Sequence, residues 1–598
     1  MSNQYDEATV HYGPKVPYSD ELHAMKYRLP GEPFREAMNR IAGPLSDNPA
    51  HFHAFRDCTL DMRYLPAGRI QAAVGTSKHV TAFNCYVSGT IGDSFVEGDD
   101  SIMRRATEAA ATMRMGGGIG YDFSTLRPRG ALITKLMSQS SGPVSFMEIF
   151  DAVCRCTSSS GHRRGAQMGV LRVDHPDIEE FVHAKQNETR LRGFNISVAA
   201  TDEFMQAVAL DRPFDLRFGG KVYRTIEARA LWDSIMRSTW DWAEPGVLFI
   251  DTMNRMNNLW YCETIAATNP CGEQNLPPHG ACLLGSFNLT RYLRRDSSGA
   301  LYFDWTRFEA DIPHVVRAMD NVIDVSLYPL PQQEVEAKAK RRMGLGITGL
   351  ANAAECLGKP YGSLSFLAFE REVLHRLARN AYLASVELAI EKGPFPLFDA
   401  DRYCESAFIK TLDKDVQDRI RRYGIRNSHL TSIAPTGTIS LCADNVSSSI
   451  EPPFAYEFDR TVIEFSGPRV ETVKDWAYRE HGVKGKRTAD VTVQEHVDVL
   501  CMAARHVDSA VSKTCNVDGS VPWDDFKQVY MRAWEGGAKG CTTFRKDGKR
   551  GGILVEKDEK TTQVDIDGDT AVAVNTENPV LDGGSCTIDP VTGRRSCE

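Results

Sequence analysis

The chain has 598 residues, 42% of them hydrophobic and 25% charged, a composition that supports a large buried core and excludes whole-chain disorder and collagen-like repeats. Its 70 Lys and Arg against 79 Asp and Glu leave a net charge of −9, which argues against a general binder of nucleic-acid backbones. The 15 cysteines are odd in number and irregularly spaced, so they do not read as a secreted disulfide framework.

Met1 to Val10 is polar and acidic, with no apolar stretch that could serve as a signal peptide. No apolar run is long enough to span a bilayer, so a reducing cytoplasm is the expected setting, and any disulfide is expected to be transient and catalytic. Phe34 to Ala42 is expected to be a helix, and from Arg63 the texture becomes that of an α/β protein. Asn195 to Ala199 reads as a strand, Ile226 to Trp242 as an amphipathic helix stopped by Glu244-Pro245-Gly246, and Gly246 to Asp251 as a further strand. The apolar period Phe369, Val373, Leu377, Ala381 predicts a helix that Gly393-Pro394 ends. His429 to Ala434 reads as a strand leading into a Pro-Thr-Gly turn. From Glu556 onward there is no aromatic residue and no helical stripe, which predicts a mobile tail, and this tail carries Cys586 and Cys597.

Gly116-Gly117-Gly118-Ile119-Gly120 does not fit G-x-G-x-x-G, because Tyr stands at 121, and no G-x-x-x-x-G-K-[ST] occurs. Those glycines are equally consistent with a tight turn where backbones approach closely. Pro435-Thr436-Gly437-Thr438-Ile439-Ser440 supplies hydroxyls and backbone N–H groups after a strand-like run, as an anion site at a helix start would; a plain N-capped turn has the same pattern. There is no C-x-x-C and no H-E-x-x-H, so no metal site is expected. Asn269-Pro270-Cys271-Gly272-Glu273-Gln274 is of another kind. Pro and Gly make it a loop, and an extended loop would put Asn269, Cys271 and Glu273 on one face. That face would offer an amide to orient a hydroxyl, a carboxylate to take its proton, and a sulfur to act as nucleophile or hydrogen-atom acceptor.

The loop and the following Gly280-Ala281-Cys282-Leu283-Leu284-Gly285-Ser286 closely resemble ribonucleotide reductases, specifically the adenosylcobalamin-dependent class II enzymes. Leu65 to Arg69, Asn84 to Val87, Gly117 to Leu126, Arg163 to Asp177, Phe194 to Val198, Ala434 to Ser440 and Ser448 to Pro452 agree as well. The resemblance implies an α/β fold, a ten-stranded barrel of two antiparallel five-stranded halves, over residues 63–552. A short N-terminal segment, 1–62, would precede it and a flexible redox-active tail, 553–598, would follow. By the same resemblance Cys271 carries a thiyl radical generated with adenosylcobalamin. Glu273 and Asn269 act on the ribose 3′-hydroxyl, and Cys85 with Cys282 is the reducing pair. Cys586 and Cys597 pass electrons inward from a thioredoxin-like protein by thiol–disulfide exchange. Pro435, Thr436, Gly437, Thr438, Ile439 and Ser440 match the substrate phosphate site. Asp93 and Ser94 match the place of a deoxynucleoside triphosphate or ATP specificity effector, and Asn187 to Gly193 matches the loop that links effector to substrate choice. A homodimer is implied, with no nucleic-acid or membrane partner.

Two departures refine the resemblance. The family's N-terminal ATP-binding activity module does not fit within 1–62, so on/off control through it is not expected. Class I large subunits carry two adjacent tyrosines near the barrel's end to receive a radical; here the stretch reads Cys541-Thr542-Thr543-Phe544-Arg545, and phenylalanine has no phenolic proton to lose. The alternatives that stay open are a metal-dependent two-subunit reductase and a non-catalytic nucleotide-binding regulator on the same fold.

Overall fold

The computed structural model describes residues 12–159, 163–164, 166–186, 190–464, 467–545 and 548–549, with two short strands at Thr587–Ile588 and Arg595–Ser596. In chain order, the elements that frame the site begin with helices α1 (Pro17–Tyr27), α2 (Phe34–Ala42) and α3 (Pro49–Leu60) and strand β1 (Tyr64–Pro66). There follow β2 (Cys85–Val87), α4 (Ile102–Arg114), β3 (Gly118–Asp122), α5 (Pro143–Cys156), β4 (Gln167–Arg172), β5 (Phe194–Ala200), α6 (Ala228–Trp242) and β6 (Gly246–Phe249). A short hairpin, β7 (Ala267–Thr268) and β8 (Asn275–Leu276), precedes β9 (Ala281–Cys282) and β10 (Leu284–Asn288). The rest is α7 (Trp305–Val325), β11 (Gly344–Thr348), α8 (Leu364–Lys392), α9 (Gly437–Cys442), α10 (Val493–His506), β12 (Thr514–Val517), α11 (Trp523–Glu535) and β13 (Gly540–Arg545).

Eight strands form one sheet in the order β9-β2-β3-β4-β5-β6-β13-β12. From β2 to β6 every neighbour is parallel, with helices supplying the crossovers, as parallel pairing requires. β13 is antiparallel to β6 and parallel to β12, and β9 is antiparallel to β2. A second sheet has the order β1-β10-β11. Only Leu283 separates β9 from β10 in the chain, so the two sheets share one continuous extended segment. Single parallel bridges, Leu345 to Thr431 and Ile433 to Val511, continue the second sheet beyond β11.

The parallel strands read as near-continuous apolar runs because both faces are covered. Phe194, Ile196, Val198 and Phe249 pack outward with the α4, α5, α6, α10 and α11 helices, while Met168, Val170, Ala199 and Leu248 join Cys85, Cys282 and Leu276 on the inner side. A third core gathers α1 to α3, α7, α8 and β11.

The helix Phe34–Ala42 has the predicted bounds, and the Phe369 period lies inside α8, which runs on to Lys392 before Gly393. The helix expected from Ile226 starts instead at Ala228, because Ile226 and Glu227 close a β-hairpin with Phe214 and Pro213. Gly246 to Asp251 is a strand only as far as Phe249; Ile250 opens a helix. His429 to Ala434 is not a ladder strand and is joined to its neighbours by the two single bridges. No helix among the described residues is long and apolar enough to cross a membrane.

Candidate active site

The β7–β8 hairpin carries the Asn-Pro-Cys-Gly-Glu-Gln loop into the interior. Its way in is cut by Gly120 on β3: a Cβ there would stand 1.9 Å from the Thr268 carbonyl oxygen, so any side chain would collide with the hairpin backbone. The glycine cluster is thus a place where backbones approach closely, the second of its two sequence readings.

At the tip the chain is a turn rather than an extended face. Gly272 N–H donates to the Asn269 carbonyl (3.0 Å) and Asn269 N–H to the Gln274 carbonyl (3.2 Å). Gly272 takes φ 81°, a left-handed conformation that glycine adopts without strain. Asn269 Oδ1 accepts the Gln274 N–H at 3.0 Å, so this amide closes its own turn. Its other side, Nδ2, faces Cys282 Sγ at 3.9 Å. The loop is tied down from three directions: Asn195 Nδ2 on β5 donates to the Pro270 carbonyl (3.1 Å), and Ala510 N–H and Ser432 Oγ both donate to the Glu273 carbonyl (2.9 Å each).

Cys85 and Cys282 are register partners across β2 and β9, both reduced thiols and both about as buried as a residue can be (1% and 0% exposed). Opposed positions on antiparallel strands hold α-carbons at about 4.5–5.5 Å, inside the span a disulfide bridges. Burial, then the Glu273 carboxylate and the Cys85 sulfur, push the Cys282 thiol well above its ordinary value. It therefore stays protonated at neutral pH, as a hydrogen donor must. Cys271 is 4% exposed and packs against Ala166; its sulfur is disulfide-bonded. A Cβ on Gly118 would meet Ala166, Cys85 Sγ and Pro270 within 2.9–3.1 Å, which places the hairpin tip and the cysteine pair around one point. Asn269, Cys271, Glu273, Cys85 and Cys282 are thus brought together.

Pro435 to Ser440 lies beside them, three residues after Ser432. Thr436 is left-handed (φ 55°) and caps α9. The hydroxyls expected to face an anion are already engaged: Thr436 Oγ1 and Ser440 Oγ both share hydrogen bonds with Thr348 Oγ1 (3.0 and 2.9 Å), and Thr436 Oγ1 accepts the Ser449 N–H at 2.7 Å. What the turn presents is the backbone N–H groups of the first turn of α9 and the Ser449 hydroxyl, which is buried with no partner among the described residues. From outside, α1 braces α9: Ser19 Oγ donates to the Leu441 carbonyl (2.6 Å), and Asp444 Oδ1 accepts the N–H groups of Lys15 and Val16 (2.7 and 2.9 Å).

Asp93 and Ser94 are not part of this cluster. Asp93 pairs with Arg127, whose Nε donates to it at 2.7 Å, and Ser94 Oγ accepts the Glu97 N–H at 3.1 Å. Of Asn187 to Gly193, residues 187–189 lie outside the described residues, as do Cys586 and Cys597. Among the described residues no group of three or more His, Cys, Asp or Glu side chains could hold a metal ion.

The sequence alone gives no role to Asn195, Ser432, Thr348 or Ser449. Asn195 had a readable signal, a single amide inside the apolar run Phe194-Asn195-Ile196-Ser197-Val198. Ser432 sits in an equally apolar run, while Thr348 acts only through contacts made across the fold.

An interior hairpin thus sets a buried cysteine, a carboxylate and an amide against a register-paired dithiol on an α/β frame. Residues 83–544 match the family model described as "Ribonucleotide reductase, barrel domain", and the chain belongs to that family. It is 36% identical over 525 residues to a "Vitamin B12-dependent ribonucleoside-diphosphate reductase" of Mycobacterium tuberculosis, covering 83% of this chain and 72% of the relative. A protein of the same description from Thermoplasma acidophilum is 32% identical over 551 residues, 87% of this chain and 68% of the relative. A "Vitamin B12-dependent ribonucleotide reductase" of Streptomyces coelicolor is 27% identical over 570 residues, 81% of this chain and 58% of the relative.

Proposed function

We propose that the protein is an adenosylcobalamin-dependent ribonucleotide reductase that converts ribonucleotides to 2′-deoxyribonucleotides. The names of its relatives favour ribonucleoside diphosphates as substrates. The observation that carries the reading is the convergence of Asn269, Glu273 and the Cys85–Cys282 pair on one buried point beside Cys271. Adenosylcobalamin, if bound here, would supply radical chemistry, and the residue that would receive it is Cys271, whose thiol would give up its hydrogen atom. The residues fit that role. Cys271 is shielded from water at 4% exposure, and the described residue packed against it, Ala166, offers no polar or redox-active atom to compete for a radical. The stretch comparable to a subunit-to-subunit relay, Cys541 to Arg545 in β13, offers Phe544 and no tyrosine, which favours a radical generated within the chain over a metal-dependent second subunit.

In this reading the Cys271 thiyl removes the ribose 3′-hydrogen. The Glu273 carboxylate takes the 3′-hydroxyl proton, with the Asn269 amide holding that oxygen. The 2′-hydroxyl leaves as water, and Cys85 and Cys282 together supply two hydrogens and end as a disulfide. One ribonucleotide and two thiols thus give one deoxyribonucleotide, one disulfide and one water, and the hydrogen first removed returns to C3′ to regenerate the Cys271 thiyl. The first turn of α9 and the Ser449 hydroxyl hold the substrate's phosphates.

Cys586 and Cys597 reduce the interior disulfide and are themselves reduced by a thioredoxin-like protein; the short strand Arg595–Ser596 lies against α9, next to the site. The pairing across both sheets supports a ten-stranded barrel over residues 63–552, with the β7–β8 hairpin as its central finger. One five-stranded half is β2 to β6; the other runs β10, β11, Thr431 to Ile433, Val511 to β12, and β13. Asp93 and Ser94 take the specificity effector at a homodimer interface. The exposed apolar side chains Phe95, Val96, Met103, Leu132, Leu136 and Met137 support such an interface.

The test is chromatographic assay of deoxynucleotide formation from all four ribonucleotides, as diphosphates and as triphosphates, with and without adenosylcobalamin. Turnover by the lone chain that requires the cofactor, and its loss in Cys271→Ser with nucleotide binding retained, is the expected result. Residual turnover in that variant would sink the thiyl assignment.

A further inference from the structure

Glu273 is held at the tip of the hairpin by its carbonyl, and both donors to that carbonyl come from irregular chain. Ala510 lies in the link between α10 and β12, and Ser432 in the bridged stretch after α8. Such segments have no ladder of their own to fix them. What fixes these two is a buried pair of charged residues outside the reaction described above. Lys539, at the entry to β13, is 3% exposed and aims its ammonium at three successive carbonyls: Val507 (3.3 Å), Asp508 (2.6 Å) and Ser509. The Asp508 carboxylate accepts the N–H groups of Leu430 (2.6 Å) and Thr431 (3.1 Å) and the Tyr382 hydroxyl (2.8 Å). The two segments are then stitched together: Asp508 N–H donates to Thr431 Oγ1 (2.9 Å), Ser509 N–H to the Thr431 carbonyl (3.1 Å) and Ile433 N–H to the Ala510 carbonyl (3.1 Å). Three carbonyls converging on one ammonium are charge-assisted hydrogen bonds in a site closed to water. Removing the ammonium leaves those oxygens buried and under-satisfied.

We infer that Lys539 is a positioning residue for Glu273: it organises Val507 to Ser509 so that Ala510 and Ser432 hold the Glu273 carbonyl, and with it the carboxylate, at the substrate. The inference rests on the proposed role of Glu273 and extends it to a residue that touches no reacting atom.

Titration gives the idea a signature. Burial lowers the Lys539 ammonium to about 8, against the opposing pull of Asp508. The other titratable and charged groups around it are Tyr382, bonded to Asp508, Arg342, and His429, which burial and the Arg342 and Lys539 cations push well below its ordinary value. Lys539 holds its proton below about pH 8 and loses it above, so kcat should fall along an alkaline limb near that pH.

The experiment measures kcat and KM against pH for the full chain with adenosylcobalamin, in wild type, Lys539→Arg, Lys539→Met and Ser432→Ala. A misplacement of the base on the order of 1 Å costs roughly 100-fold in rate. Lys539→Met should therefore lose about that much kcat with KM within about twofold. Lys539→Arg should recover most of the rate and move the alkaline limb upward by more than about one pH unit, because a guanidinium keeps its proton. Ser432→Ala, which deletes one donor and leaves the core intact, should lower kcat several-fold at unchanged KM and serves as the deciding variant if Lys539→Met does not fold. A Ser432→Ala kcat equal to wild type, or a Lys539→Arg enzyme that is active with the limb unmoved, overturns the inference. A wild-type chain that reduces no ribonucleotide overturns the proposed function instead.

Discussion

The two sides of the interior are built differently. On one side β2 to β6 form an unbroken parallel ladder with helices packed outside it. On the other, β11, Thr431, Ile433 and Val511 are connected by isolated bridges. The regular side carries what must not move: Cys85, in register with Cys282, and the glycines against which the hairpin rests. The broken side carries what must reach inward. Each gap in its ladder frees a backbone or hydroxyl group to bond elsewhere. Ser432 and Ala510 turn to Glu273, and Thr436 and Ser449 shape the turn proposed to hold phosphate. Regularity supplies a wall, and irregularity supplies the hands.

The largest effect that would sharpen this contrast is on the regular side. Cys282→Ser keeps the shape of the wall but removes one of the two proposed electron donors. Steady-state turnover should vanish while nucleotide binding, followed by equilibrium dialysis, stays near wild type; sustained turnover would show that another pair does the reducing. On the broken side, Ser449→Ala takes a hydroxyl from the proposed phosphate turn. A hydrogen bond to a charged group contributes about 1.5–3 kcal/mol, so KM should rise about tenfold or more with kcat little changed. An unchanged KM would mean that the backbone N–H groups of α9 suffice. The smallest expected effect tests the wall by volume alone. Gly120→Ala puts a methyl where the Thr268 carbonyl stands and should cost about 1–3 kcal/mol of stability in chemical denaturation. No loss would mean that the hairpin rides loosely over β3.

The chemistry was more legible in the sequence than its supports. Asn269, Cys271 and Glu273 stand within five residues and announce their functions by type, and the reading of one extended face failed only because Gly272 and the Asn269 amide fold the tip into a turn. Helix Phe34–Ala42 was readable because its apolar period is local. The His429 to Ala434 strand was over-read: its apolar pattern reports burial, and burial is satisfied equally by two lone bridges. Thr436 and Ser440 read as ligand hydroxyls, and nothing in the sequence shows that Thr348, far away in the chain, also bonds them. Lys539 is the extreme case. A lysine between Ala and Gly ahead of a strand reads as surface, and nothing local marks it as 3% exposed beneath three carbonyls.

Cys282 stands one residue before the point where the chain passes from one sheet to the other, and its partner Cys85 opens the neighbouring strand of the same eight-stranded sheet. Oxidation of the proposed pair would therefore place a covalent staple across the last two strands of that sheet, at the edge from which the chain leaves it. Each round of chemistry would fasten that edge, and each re-reduction would loosen it. The molecule would carry a mechanical record of its last turnover, legible in how readily the edge strand opens to a protease or to hydrogen exchange.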